Sequence, residues 1–83
     1  MTKYKIHFHT PEEVKTFVEF TSQQNYDIDI SLNHISLNHY TIDAKSIMGI
    51  FSLDLSRELV VTFHCSDEET KEFYENFQKL LDN

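Results

Sequence analysis

The sequence predicts an α+β fold in which a sheet carries its helices on one face and leaves the other face open. Three observations lead there. Apolar and polar residues alternate strictly in separate stretches such as Tyr4–His9, Tyr26–Leu32 and Glu58–His64, the mark of half-buried strands. Two stretches with helical spacing, one following Tyr4–His9 and one following Glu58–His64, are each opened by a capping box. The outward strand positions, among them Lys5, His7, Asp27, Asp29 and Thr62, are polar enough to face water, so only one side of the sheet needs covering.

From Tyr4 to His9, Ile6 and Phe8 fall on one face and Lys5, His7 and His9 on the other. Thr10-Pro11-Glu12-Glu13 then starts a helix. Thr10 caps it, Pro11 suits the first helical position, and Glu13 completes the box while complementing the helix dipole. Val14, Phe17, Val18 and Thr21 share a helical face, and the helix is expected to end near Gln24-Asn25.

Tyr26 to Leu32 is strand again, with Ile28, Ile30 and Leu32 facing inward. The block Ile30-Ser31-Leu32-Asn33-His34 is then repeated without change as Ile35-Ser36-Leu37-Asn38-His39. Five is odd, so the second copy changes parity, and a turn or bulge must absorb the change if one face is to stay buried. Asn38-His39 is the favoured turn, leaving Tyr40 and Ile42 to lead a short strand. A hairpin lengthened in this way invites edge association, so the expected state is monomer or weak dimer.

Lys45 to about Phe51 reads as a short helix, and Leu53 to Arg57 as an irregular, surface-facing passage with Asp54 and Ser56 as turn formers. In the last strand Leu59, Val61 and Phe63 face inward and Val60, Thr62 and His64 outward. Ser66-Asp67-Glu68-Glu69 is the second capping box, and Phe73, Phe77, Leu80 and Leu81 supply the core face of the final helix.

Composition excludes several classes of function. The 83 residues make one domain, 1–83, and a formal charge of −7 repels phosphate backbones and anionic lipids, so neither nucleic acid nor membrane is expected as a partner. The single cysteine, Cys65, has no internal disulfide partner; by alternation it points inward as a small hydrophobe. No basic-apolar leader opens the chain at Met1-Thr2-Lys3 and no apolar run approaches a membrane span, so a cytoplasmic location is expected. One glycine and one proline leave no phosphate-cradling loop, and no carboxylate pair or Ser-His-Asp set is readable. The expected protein is therefore no enzyme, and it needs no cofactor and no metal. The acidic groups at Glu12-Glu13 and Asp67-Glu68-Glu69 are explained by helix capping alone.

The stretch Lys45-Ser46-Ile47-Met48-Gly49, continued by Ile50-Phe51-Ser52-Leu53, is the most informative in the chain. Ser46 opens an apolar helix, where its hydroxyl lies beside unpaired N–H groups and a phosphate would be well placed. Taken alone, that is a helix cap. Ile47, Met48, Ile50 and Phe51 cannot all face inward from so short a helix, and those left outside form a candidate docking patch.

This motif, with the element order β-α-β-β-α-β-α, resembles the HPr family, the small phosphocarriers of the bacterial sugar phosphotransferase system. The resemblance covers nearly the whole chain in element order, with identity concentrated between about Ile42 and Leu53. It implies an open-faced sandwich whose four-stranded antiparallel sheet is covered on one face by helices. It also implies that Ser46 is a regulatory phosphoacceptor for an HPr-type serine kinase, and that Lys45, Ile47, Met48 and Phe51 dock protein partners. Those partners would be the kinase, a transcriptional regulator or phosphotransferase-system components.

The family's other site, a phosphohistidine in a Gly-Ile-His-Ala-Arg-Pro loop, is not matched. Here His9-Thr10-Pro11-Glu12-Glu13 carries no glycine and no arginine, and the loop is shorter. Phosphoryl transfer needs a histidine against helix N–H donors with a cation nearby, and two glutamates have the wrong charge. The pattern is similar to the HPr-like catabolite repression proteins, which lack the active histidine and keep the serine. The leading expectation is thus a regulatory and interaction module without phosphohistidine carrier activity. One alternative is a phosphocarrier using His9. The other is a module binding a partner or metal through the open face, where His7, His9 and His64 would converge if their strands are neighbours. His34 and His39 belong to the duplicated turn.

Overall fold

The computed structural model describes residues 2–32 and 41–81. Its elements are β1 (Thr2–Ile6), α1 (Pro11–Thr21), β2 (Asp27–Leu32), β3 (Thr41–Asp43), α2 (Ile47–Phe51), β4 (Leu59–His64) and α3 (Asp67–Leu81). The four strands form one antiparallel sheet in the order β1-β4-β2-β3. The last strand in sequence therefore lies between the first two. This is the α+β open-faced sandwich that the element order implied.

The inward side chains follow the alternation of the sequence. Ile28 and Ile30 from β2, Ile42 from β3, and Leu59, Val61 and Phe63 from β4 are buried under Val14 and Phe17 of α1, Ile50 of α2, and Phe73 and Phe77 of α3. Aromatic rings form the middle of this layer: Phe17 meets Phe73 and Phe77 edge-on at centroid distances of 6.2 and 5.4 Å, and Phe73 meets Phe63 at 5.0 Å. Two threonines are buried with them, each with its hydroxyl satisfied. Thr21 donates to the carbonyl of Ala44 at 2.8 Å, tying the end of α1 to the entry of α2, and Thr70 donates to the carbonyl of Ser66 at 3.0 Å.

Several boundaries differ from the sequence reading. Strand pairing stops at Ile6, so His7, Phe8 and His9 extend beyond β1, although the alternation persists and Phe8 stays buried. Helix α1 ends at Thr21 rather than near Gln24-Asn25; Ser22 is its C-cap, and the Gln24 side chain folds back to donate to the Phe20 carbonyl at 3.1 Å. The passage after α2 is not wholly surface-facing. Leu53 is buried and Leu55 half-buried, while Asp54 and Ser56 make the expected turn, with both the amide and the hydroxyl of Ser56 donating to the Asp54 carboxylate. Leu80 is 46% exposed, not core, because the ring contacts that seat α3 end at Phe77.

Residues 33–40, which hold the duplicated block beyond Leu32, its favoured turn at Asn38-His39 and the strand lead at Tyr40, lie outside the described residues, as does the Leu81 side chain. The paired ends are described: Ile30, which opens the repeat, stands opposite Ile42, both buried, so β2 and β3 keep the same face inward.

Candidate functional site

Ser46 is the N-cap of α2. Its backbone is extended, with φ −104° and ψ 104°, and its hydroxyl accepts from the Gly49 amide at 3.2 Å while its carbonyl accepts from the Ile50 amide at 3.0 Å. The Ser52 hydroxyl closes the other end on the Gly49 carbonyl at 2.5 Å. Five residues give this helix little stability of its own, so its position depends on what it buries.

That burial divides its four apolar residues. Ile50 is fully buried and anchors the helix, Ile47 is half-buried against the core, and Met48 and Phe51 are 78% and 43% exposed. The outer patch beside the Ser46 hydroxyl is thus made mainly by Met48 and Phe51, with the edge of Ile47. Lys45 stands apart from it. Its ammonium donates to the Gln24 carbonyl at 3.0 Å, and its amide to the Asp43 carboxylate at 2.9 Å, so this residue braces the corner between α1 and α2.

At the other end of the chain, the start of α1 has the capping box read from the sequence. Thr10 accepts from the Glu13 amide at 3.2 Å, and the Glu13 carboxylate reaches back to the amide of His9 at 2.5 Å. Pro11 has no N–H to offer, and Glu12 and Glu13 already place two carboxylates at the positive end of the dipole. His9 is exposed, with its ring centroid 4.7 Å from that of His7, over an open hollow of about 420 Å³ lined by Phe8, Thr10, Pro11, Leu55 and Ser56. None of the lining residues is a lysine or arginine.

The three outward histidines do not converge. Antiparallel pairing sets Ile6 opposite Leu59 and Thr2 opposite Phe63, so His64 lies at the far end of β4 from His7 and His9. His64 instead meets Asp29 across the β2–β4 pair, with Nε2 2.6 Å from the carboxylate oxygen. Reading both residues as outward was correct, but their contact needed the strand order. Among the described residues no group of three metal-ligating side chains comes together.

Cys65 is half-buried rather than fully enclosed, its Sγ 3.2 Å from the Thr70 hydroxyl. Beside it, burial pushes the Tyr26 phenol up to about 12, with further rises from Cys65, Glu69 and Glu72. No helix among the described residues is long and apolar enough to cross a membrane.

The family model for the PTS HPr component phosphorylation site matches residues 13–83. The chain belongs to the HPr family. The match begins at Glu13, after His9 and Thr10, and includes the whole of α2. A search of curated protein sequences finds no match. Among solved structures, the phosphocarrier protein HPr of Bacillus anthracis is similar over 92% of this chain and 90% of its own, at 25% identity and a TM-score of 0.65. The HPr-C-His structure from Thermoanaerobacter tengcongensis covers 99% of this chain and 92% of its own at 24% identity and a TM-score of 0.67, a likeness of fold.

Proposed function

We propose that this HPr-family protein is a regulatory module that engages protein partners through Met48, Phe51 and the exposed edge of Ile47, and is switched by phosphorylation of Ser46, without carrying phosphate on a histidine. The observation that carries the reading is the start of α1. A phosphoryl group on His9 would meet the carboxylates of Glu12 and Glu13 beside a hollow lined by no lysine or arginine, and one amide it could use already binds Thr10. The opposite holds at α2. Its first turn has no acidic residue, and the cap hydroxyl is exposed next to two large exposed apolar side chains. A phosphate there adds about −1.5 to −2 charges at a helix start, favourable for the helix and available to an arginine of a partner. The partners implied by family membership are an HPr-type serine kinase, a transcriptional regulator and components of the phosphotransferase system.

A second reading, phosphotransfer through His9, is favoured by one observation, the exposure of that ring beside an open hollow. One experiment separates the two. The protein is incubated with ATP and an HPr serine kinase, and in parallel with phosphoenolpyruvate and the histidine-phosphorylating enzyme of the system, and phosphate is located by mass spectrometry. Acid-stable phosphate on Ser46 is the expected result. Acid-labile phosphate on His9 overturns the proposal, as does the absence of phosphate in the kinase reaction.

A further inference from the structure

Every charged side chain of the four strands lies on the open face. Lys3 and Lys5 are exposed on β1, Asp27 and Asp43 are exposed on β2 and β3, and Asp29 is half-exposed beside His64. The register arranges them in order. Lys3 pairs with Thr62, Thr62 with Asp29, and Asp29 with Asp43, so one row across the sheet runs from a lysine at the β1 edge to two aspartates at the β3 edge. Lys3 and Lys5 enter no ion pair among the described residues. The face is polarised from edge to edge, and among the described residues no ion pair offsets its positive side.

We propose that this face is the contact surface of a weak two-fold dimer, in which Lys3 of each copy meets Asp43 of the other. The surface is self-complementary under one operation. A two-fold axis parallel to the strands and passing between β4 and β2 exchanges β1 with β3 and β4 with β2, keeping each residue's position along the strand. Lys3 then opposes Asp43 of the second copy, Thr62 opposes Asp29, and His64 opposes Asp27. Sheets stacked about 10 Å apart leave a span that a lysine and an aspartate can bridge.

Net charge favours this face over the acidic helix ends for self-association. The strands contribute two lysines against three aspartates, −1 of the chain's −7, so the other −6 lies off the sheet, including the acidic first turns of α1 and α3. Stacking open faces keeps those helices on the outside of the pair, and screening over about 8 Å at physiological salt removes most of their mutual repulsion. The area sets the strength. Four strands about 4.8 Å apart and five residues long cover roughly 300 Å² in plan, well below the ~800 Å² per partner of a stable interface, so the dissociation constant is on the order of 0.1–1 mM.

The test is sedimentation of the full chain at 0.15 M salt over a concentration range reaching millimolar, with folding checked by circular dichroism. Lys3→Asp and Asp43→Lys each place like charges opposite one another in both symmetry-related contacts, and each is expected to raise the dissociation constant tenfold or more. Mixed together, the two variants regain opposite charges at both contacts and are expected to dimerise where neither does alone. Asp43 also accepts the Lys45 amide; should Asp43→Lys unfold, Thr62→Glu, which faces Asp29 of the second copy, supplies the disrupting variant. The proposal is overturned by a wild type that stays monomeric at millimolar concentration. It is overturned equally by variants that associate as wild type does, the result expected of edge-to-edge pairing through β1.

Discussion

A methyl group added to Gly49 would stand 2.6 Å from Cγ2 of Ile42, and 3.1 Å from the hydroxyl of Ser46. The single glycine of the chain is therefore a packing requirement: its φ is not positive, but α2 crosses β3 at this point too closely to admit a side chain. Ile42 is buried opposite Ile30 and cannot withdraw without disturbing the sheet. Gly49→Ala is expected to destabilise the fold by about 1–3 kcal/mol, the usual cost of overpacking a filled core. Thermal unfolding measures it. In combination with Ile42→Ala, which removes the obstructing methyl, the glycine substitution should cost clearly less than it does alone; equal costs in both backgrounds would show that the clash is not the cause.

The cap on α2 makes a second prediction. Ser46→Ala removes the acceptor of the Gly49 amide and is expected to cost about 0.5–2 kcal/mol, whereas Ser46→Asp, an equally good cap, should leave stability within a few tenths of wild type. Denaturant titration of the three proteins decides this. An alanine variant as stable as wild type would mean that the bond contributes nothing.

Stability and partner binding should separate on α2 itself. Met48 is 78% exposed, so Met48→Ala is expected to change unfolding free energy by no more than about 0.5 kcal/mol. Ile50, two residues on and so on the opposite side of the helix, is fully buried, and Ile50→Ala should cost about 2–5 kcal/mol. Binding of the Ser46-phosphorylated protein to a partner captured through this surface should fall in Met48→Ala while its melting temperature holds. A variant that loses both would place Met48 in the core instead.

Alkaline titration tests the surroundings of Tyr26. Burial foremost, then the neighbouring thiol and carboxylates, raise this phenol from 10.0 to about 12. Below pH 10 the folded and unfolded chains both keep the proton, and the contribution to stability is complete. Between pH 10 and 12 the unfolded chain releases a proton that the folded chain retains, so stability falls as pH rises through this window. Phenolate absorbance should show an ionisation near pH 12 that Tyr26→Phe removes, and the same substitution should flatten the fall in stability. An unchanged slope in that variant would assign the alkaline limb to other groups.

Much of the fold was legible because it is written in near neighbours. The inward positions Ile28, Ile30, Leu59, Val61 and Phe63 came from alternation, and both capping boxes came from residues three apart, since period and cap chemistry are set by local backbone geometry. The errors fell where a distant contact decides. Leu53 looks like loop but is buried, and Leu80 sits in phase with Phe73 and Phe77 but outlasts the rings that would cover it. A contact of the same distant kind, which no local pattern announces, bonds the Lys45 ammonium to the Gln24 carbonyl, 21 residues earlier.

By itself the sequence determined which residues alternate, which cap and which fall on the apolar face of each helix, because these depend on spacings of two to four residues along one chain. Only the tertiary structure decided which strands are neighbours. Insertion of β4 between β1 and β2 brought His64 to Asp29 and aligned Lys3, Thr62, Asp29 and Asp43 in one row, while the antiparallel β1–β4 register kept His64 at the far end from His7 and His9. The packing of α2 on β3 through Gly49 likewise sent Ile50 inward and left Met48 and Phe51 outside. Strand order and helix docking depend on pairings between segments far apart in the chain, which no local period records.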